Sequence, residues 1–113
     1  MAGIRMRREK ARIEDPLVRR ALKELLVPSI PIKLVAGSDT GKPDQLFLIP
    51  GGRPLFIETK WKENKPEPKQ EYWHGILRTL GYDVEVHNSV ESALKAVALK
   101  VVAATIYAQG GEV

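Results

Sequence analysis

From residue 12 to residue 27 the apolar side chains Leu17, Val18, Ala21, Leu22, Leu25 and Leu26 recur three and four apart, which predicts an amphipathic helix. Pro16 falls in its first turn, where the missing N–H costs no intrahelical bond, and Pro28 and Pro31 end it. Residues 30–36 are apolar and β-branched enough for a first strand, and 37–41 are dense in turn formers. Residues 45–49 and 54–61 predict two further strands joined by the tight antiparallel turn Pro50-Gly51-Gly52-Arg53. After a proline-containing loop at 64–68, a second helix is expected over 69–80. Its inward stripe is Trp73, Ile76, Leu77 and Leu80, with Gly81 as the C-terminal cap. Strict alternation over 82–87 predicts a fourth strand. Ser89 is the expected N-cap of a last helix reaching about residue 107, with Glu91 in its first turn.

The order is therefore α-β-β-β-α-β with a C-terminal helix, an α/β fold around a mixed four-stranded sheet. The strand pair before the second helix is a hairpin, and the connection after it is a parallel crossover. Residues 1–11 read as a basic arm, 12–88 as the domain, 89–108 as the C-terminal helix and 109–113 as a tail. Along that last helix Ala93, Val97, Val101, Ala104 and Ala108 share one face, which either packs on the core or forms a dimer surface.

Composition narrows the function classes. A chain of 113 residues with 43% hydrophobic and 28% charged residues is enough for one modest core. No run of about eighteen apolar residues is present, so no membrane span is expected. The basic start (Arg5, Arg7, Arg8, Lys10) leads into no apolar segment of the kind a secretory signal needs. The absence of cysteine excludes disulfides, thiolate metal sites and a cysteine nucleophile, and fits a cytoplasmic protein. A net charge of +4 points to a polyanionic partner.

The candidate chemistry lies between residues 41 and 70. Asp44 opens the second strand, and period two in the third puts Phe56, Glu58 and Lys60 on one face, with Leu55, Ile57, Thr59 and Trp61 on the other. A hairpin turning at Gly51-Gly52 sets residue 44 roughly opposite residues 58–60. Two convergent carboxylates, with the Thr59 backbone carbonyl and waters, suit a hard octahedral cation such as Mg²⁺ or Mn²⁺. Lys60 beside them could orient an attacking water and offset charge on a phosphate. Glu14 and Gln70 stand on the apolar stripes of their helices, so both are expected to point inward and complete a shell above the sheet. Each residue alone has a plain structural reading: Asp44 as a turn residue, Glu58 and Lys60 as a solvated strand face, Glu14 and Gln70 as helix-start polar residues. Convergence of all of them on one pocket is what those separate readings leave unexplained. His74 and His87 are isolated and read as structural, and Trp61 and Trp73 as packing residues.

The same residues carry a family pattern. Ile13-Glu14, Gly41-x-Pro43-Asp44, Ile49-Pro50-Gly51-Gly52-Arg53, Ile57-Glu58-Thr59-Lys60, Lys65-Pro66-x-Pro68-x-Gln70 and Leu80-Gly81-Tyr82 together resemble the VRR-NUC branch of the PD-(D/E)xK nuclease superfamily, over residues 12–88. The resemblance implies a restriction-endonuclease-like fold and a metal-dependent phosphodiesterase. By that likeness Asp44 and Glu58 are the metal carboxylates and Lys60 the catalytic lysine. Glu14 and Gln70 become supporting active-site residues, Glu14 reaching the metal directly or through a water. The short phage or prophage type is similar to Holliday-junction resolvases, which implies a homodimer acting on four-way DNA in a bacterial or phage-infected cell. Lys42, Arg53, Lys62, Lys65 and Lys69, with Arg5, Arg7 and Arg8 of the arm, are the expected phosphate contacts. A flap or nicking nuclease, or a non-catalytic DNA-binding module, are the competing readings.

Overall fold

The computed structural model describes residues 10–32, 44–62 and 64–110. Four strands, β1 (Ser29–Pro31), β2 (Gln45–Ile49), β3 (Arg53–Thr59) and β4 (Asp83–His87), form one sheet in the order β1-β2-β3-β4. The first three are antiparallel neighbours, and β4 joins β3 in parallel. Three helices flank them: α1 (Asp15–Leu25), α2 (Pro68–Thr79) and α3 (Val90–Gly110), with a π-type turn over Lys10–Glu14 ahead of α1. The predicted order, hairpin and parallel crossover are all present.

Local chemistry explains the boundaries. Pro16 sits at the start of α1, and the wider turn over Lys10–Glu14 precedes it, so Glu14 lies one residue before the α-helix. The helix ends at Leu25, two residues short of its predicted end. Leu26 adopts φ 57°, while the Leu26 N–H reaches Leu22 O and the Val27 N–H reaches Ala21 O, both at 3.1 Å. This double bond pattern closes the helix with a left-handed residue, a place usually given to glycine. β1 is earlier and shorter than the predicted 30–36, of which 33–36 lie outside the described residues. Pro31 can end β1 without losing a ladder bond because β1 is the sheet edge. Gly51 and Gly52, at φ 87° and 74°, supply the hairpin turn that residues with a Cβ make at a cost. β3 stops at Thr59 rather than 61, since Lys62 turns the chain with φ 55°, although the Lys60 N–H still reaches His87 O at 2.9 Å.

The two faces of the sheet are covered differently. Leu17 and Ala21 of α1, Val27, Phe47, Ile49, Leu55, Ile57, and Ala93, Leu94, Val97 and Ala104 of α3 form one buried apolar cluster, with Val101 packed against it. The predicted stripe of the C-terminal helix thus lies on the core, with the side chain of Ala108 outside what is described. Ser89 caps α3 as expected, its Oγ accepting the Ser92 N–H at 3.1 Å. Strand alternation turns Glu58 to the opposite face, where α2 lies. There the inward stripe needs correction: Leu80 is 68% exposed, and the only fully buried side chain of α2 is His74. Leu80 is the C-cap of α2, its N–H still reaching Ile76 O at 3.1 Å, and Gly81 at φ 94° turns the chain immediately after it.

Candidate active site

The site forms at the open end of the β2–β3 hairpin, away from the Gly51-Gly52 turn. Pairing of Gln45 with Ile57 brings the preceding residue, Asp44, level with Glu58. Asp44 Oδ2 accepts the Thr59 N–H at 2.9 Å and the Thr59 hydroxyl at 3.0 Å, so the carboxylate is tied to β3 by two bonds. Glu58 is fully buried. Its Oε1 lies 2.8 Å from His74 Nε2 and its Oε2 3.0 Å from the ammonium of Lys60, itself buried. From the other side of the sheet end, the Gln45 amide donates to Glu14 Oε1 at 2.7 Å. The location is also the C-terminal end of the parallel pair β3 and β4, where open α/β sheets commonly hold their ligands.

Burial and like charge make this a strained electrostatic environment. The Asp44 carboxyl is pushed up to about 6, chiefly by removal from water, with the neighbouring Glu58 and Glu14 carboxylates adding to the rise. The two bonds from Thr59 oppose that rise without cancelling it. Glu58 Oε2 has only the Lys60 ammonium as its partner, and Gln45 Oε1 is buried without a donor. A buried acceptor left without a hydrogen bond is costly. Carboxylates that crowd one another, next to oxygens short of donors, form a donor set that a hard divalent cation would fit. Among the described residues no three His, Asp or Glu side chains form a ready-made cage. A cation here would therefore rest on Asp44 and Glu58 and take further ligands from backbone oxygen, for which the Thr59 carbonyl is the candidate, and from water.

Most of the predicted site residues come together. Asp44, Glu58, Thr59 and Lys60 share the hairpin end, and Glu14 lies close enough to perturb Asp44. Gln70 takes another part: its Oε1 accepts the Glu67 N–H at 2.8 Å, closing the first turn of α2. One helical turn later His74 makes the contact to Glu58 that inward spacing suggested for Gln70. Four-residue spacing puts the two on the same face of α2, so the period held the signal for His74. Gln45 also escaped the sequence reading, because a polar residue opening a strand has no distinctive spacing. His87, expected to be structural, is bonded to Glu85 at 2.8 Å and Ser92 at 3.0 Å. Of the expected phosphate contacts, Lys42 lies outside the described residues, as do the arm residues Arg5, Arg7 and Arg8. Lys62, Lys65 and Lys69 are exposed on the segment that follows Lys60. Arg53 starts β3 at the turn end, on the order of 20 Å from Thr59 along the strand, so it is not beside the carboxylates. Trp61 carries the Arg12 guanidinium 5.4 Å and the Lys62 ammonium 5.5 Å from its ring centre, a cation-bearing ledge next to Lys60.

No family model matches the chain. It is 36% identical over 87 residues to "Putative nuclease p44" of Acyrthosiphon pisum secondary endosymbiont phage 1, an alignment covering 74% of this chain and 94% of that protein. A solved structure described as "VRR_NUC domain" superposes with a TM-score of 0.62 at 26% identity, covering 74% of this chain and 89% of the other. The hairpin-borne Asp44, Glu58 and Lys60, the mixed sheet that presents them and the two likenesses agree, and the chain belongs to the VRR-NUC family of nucleases.

Proposed function

We propose that the protein is a Mg²⁺- or Mn²⁺-dependent endonuclease of branched DNA, acting on four-way junctions as a homodimer in the cytoplasm of a bacterial or phage-infected cell. The observation that carries the reading is the buried Glu58–Lys60 pair standing level with the Thr59-bound Asp44. Asp44 and Glu58 would hold the cation, with the Thr59 carbonyl as a further ligand and Glu14 beside them. When bound, such an ion supplies Lewis-acid activation of water and neutralises charge on the scissile phosphate. Lys60 has its ammonium 3.0 Å from Glu58, where it orients the attacking water and offsets negative charge as it builds on the phosphate. Thr59 keeps Asp44 directed through two hydrogen bonds, and Gln45 holds Glu14 through one.

The basic residues on the exposed rim support a DNA substrate. Lys62, Lys65 and Lys69 follow the site in sequence, and a duplex lying across the sheet could also meet Arg53 at the far end of the hairpin. Among the described elements nothing resembles a recognition helix for base edges, which favours shape over sequence as the target. Two-fold pairing suits a junction with two-fold symmetry. The exposed Leu99, Val102 and Ile106, three and four residues apart on α3, offer an apolar surface for a second copy.

Cleavage of a synthetic four-way junction, a flapped duplex and a linear duplex, each with Mg²⁺, Mn²⁺ or EDTA, tests the reading. Paired symmetric nicks in the junction alone, absent in EDTA, are expected. Preferential cutting of the flap would replace the junction with a flap substrate, and equal activity in EDTA would sink the metal mechanism.

A further inference from the structure

The fully buried side chain of α2 is a polar one. Half-buried Trp73, Ile76 and Leu77 line the same helix, yet the residue 2% exposed is His74, and it meets the equally inaccessible Glu58 at 2.8 Å. A carboxylate can only accept, so the ring carries its proton on Nε2 toward Oε1. The two oxygens of Glu58 then have unequal surroundings. Oε1 accepts from the ring, while Oε2 faces the Lys60 ammonium at 3.0 Å with no further partner among the described residues. Gln70, the α2 residue whose spacing aimed it inward, is engaged with the Glu67 N–H instead.

We infer that His74 is a positioning residue for Glu58: by holding Oε1 from α2 it presents Oε2, beside Lys60, to the cation and water of the reaction. The inference rests on the metal-nuclease reading above. The physical reason is rotamer freedom. Glu58 has three side-chain torsions, and without the ring its carboxylate could turn Oε2 away from Lys60. Groups that orient the ligands of a metal typically matter by 10- to 100-fold in affinity or activity.

The test compares His74→Leu, His74→Gln and His74→Asn with the intact chain. Glutamine can place its amide N–H about where Nε2 sits, leucine has no donor, and asparagine falls short of Glu58. Expected for His74→Leu is a Mn²⁺ affinity, read by titration calorimetry without DNA, at least about tenfold weaker, and a comparable fall in kcat. KM and metal-free junction binding should stay within about twofold, and His74→Gln should recover Mn²⁺ affinity and kcat to within about threefold. If the leucine variant fails to fold, the Gln and Asn pair decides: glutamine retaining function and asparagine losing it supports the role. Mn²⁺ affinity and kcat unchanged in His74→Leu, or equal in the Gln and Asn variants, overturns it. Asp44→Ala separates the two readings. If it binds Mn²⁺ and cleaves as well as the unsubstituted chain, the metal site is elsewhere and both readings fail. If it loses both while His74→Leu keeps both, only the role of His74 is overturned.

Discussion

The two faces of this small sheet are built on opposite principles. On the α1/α3 face, Phe47, Leu55, Ile57, Leu17 and Val97 are fully buried and apolar, and their burial drives folding, with Gln45 and Thr59 the buried polar residues at its rim. On the α2 face Glu58, His74 and Lys60 are buried beside the apolar Val84, and taking these polar groups out of water is offset only as long as they stay paired. Residues 57 and 58 are adjacent on β3 yet belong to different economies, because a strand sends successive side chains to opposite sides. One face holds the fold together, and the other holds the charges on which the proposed chemistry rests.

The largest effect expected from breaking this division lies on the charged face. Asp44→Ala or Lys60→Ala should lower junction cleavage by about a thousandfold or more, roughly 4 kcal/mol of transition-state stabilisation, with the circular dichroism spectrum unchanged. Activity retained by either variant would show that the catalytic groups lie elsewhere. On the apolar face the expected loss is in stability. Phe47→Ala, at a site with no exposure, should cost about 3–4 kcal/mol in urea unfolding. A cost below about 1 kcal/mol would show that the core does not depend on that ring.

A third prediction joins the two faces, since it trades activity for stability. Asp44 holds its proton up to about 6 in the folded chain, against about 4 when unfolded. The folded state binds that proton more tightly, so the contribution of this group is fully present below about pH 4 and is lost as pH climbs through about 6. In EDTA, Asp44→Asn should therefore match the unsubstituted chain near pH 4 and exceed it by about 2 kcal/mol at pH 7.5, while cleaving nothing. Added Mn²⁺ should narrow the gap at pH 7.5 by stabilising only the chain that keeps Asp44. Equal stability of the two at both pH values would remove the case for a crowded carboxylate. The smallest expected effect concerns α2 itself. An added Cβ at Gly75 meets nothing within 4 Å, so Gly75→Ala should raise stability by about 0.5–1 kcal/mol with cleavage rates unaltered. A drop in stability would mean that this face of α2 is occupied by something not yet seen.

Much of this molecule was legible in the chain because it rests on short-range rules. Pro-Gly-Gly specified the hairpin, and the hairpin in turn set the register that brings Asp44 level with Glu58. Gly81 and Ser89 marked the end of one helix and the start of another at the positions observed. Where the reading failed, a longer-range effect was at work. Leu80 obeyed helical spacing yet stands exposed at the C-cap, where the helix ends, and Gln70 was drawn to a backbone N–H three residues away rather than across to β3. Four-residue spacing from Gln70 gave the inward direction of His74, but its partner, Glu58, belongs to another element sixteen residues earlier, and spacing along one helix does not announce it.

The sequence by itself thus determined the order of elements, the carboxylate–carboxylate–lysine set and the polarity of each strand face, all of which follow from torsional preferences and the periods of helix and strand. Only the tertiary structure decided which residue of α2 reaches the site, that Gln45 braces Glu14, and how far Asp44 is removed from water. Those depend on docking angle and depth of burial, which arise when separate elements pack together and which no local period encodes.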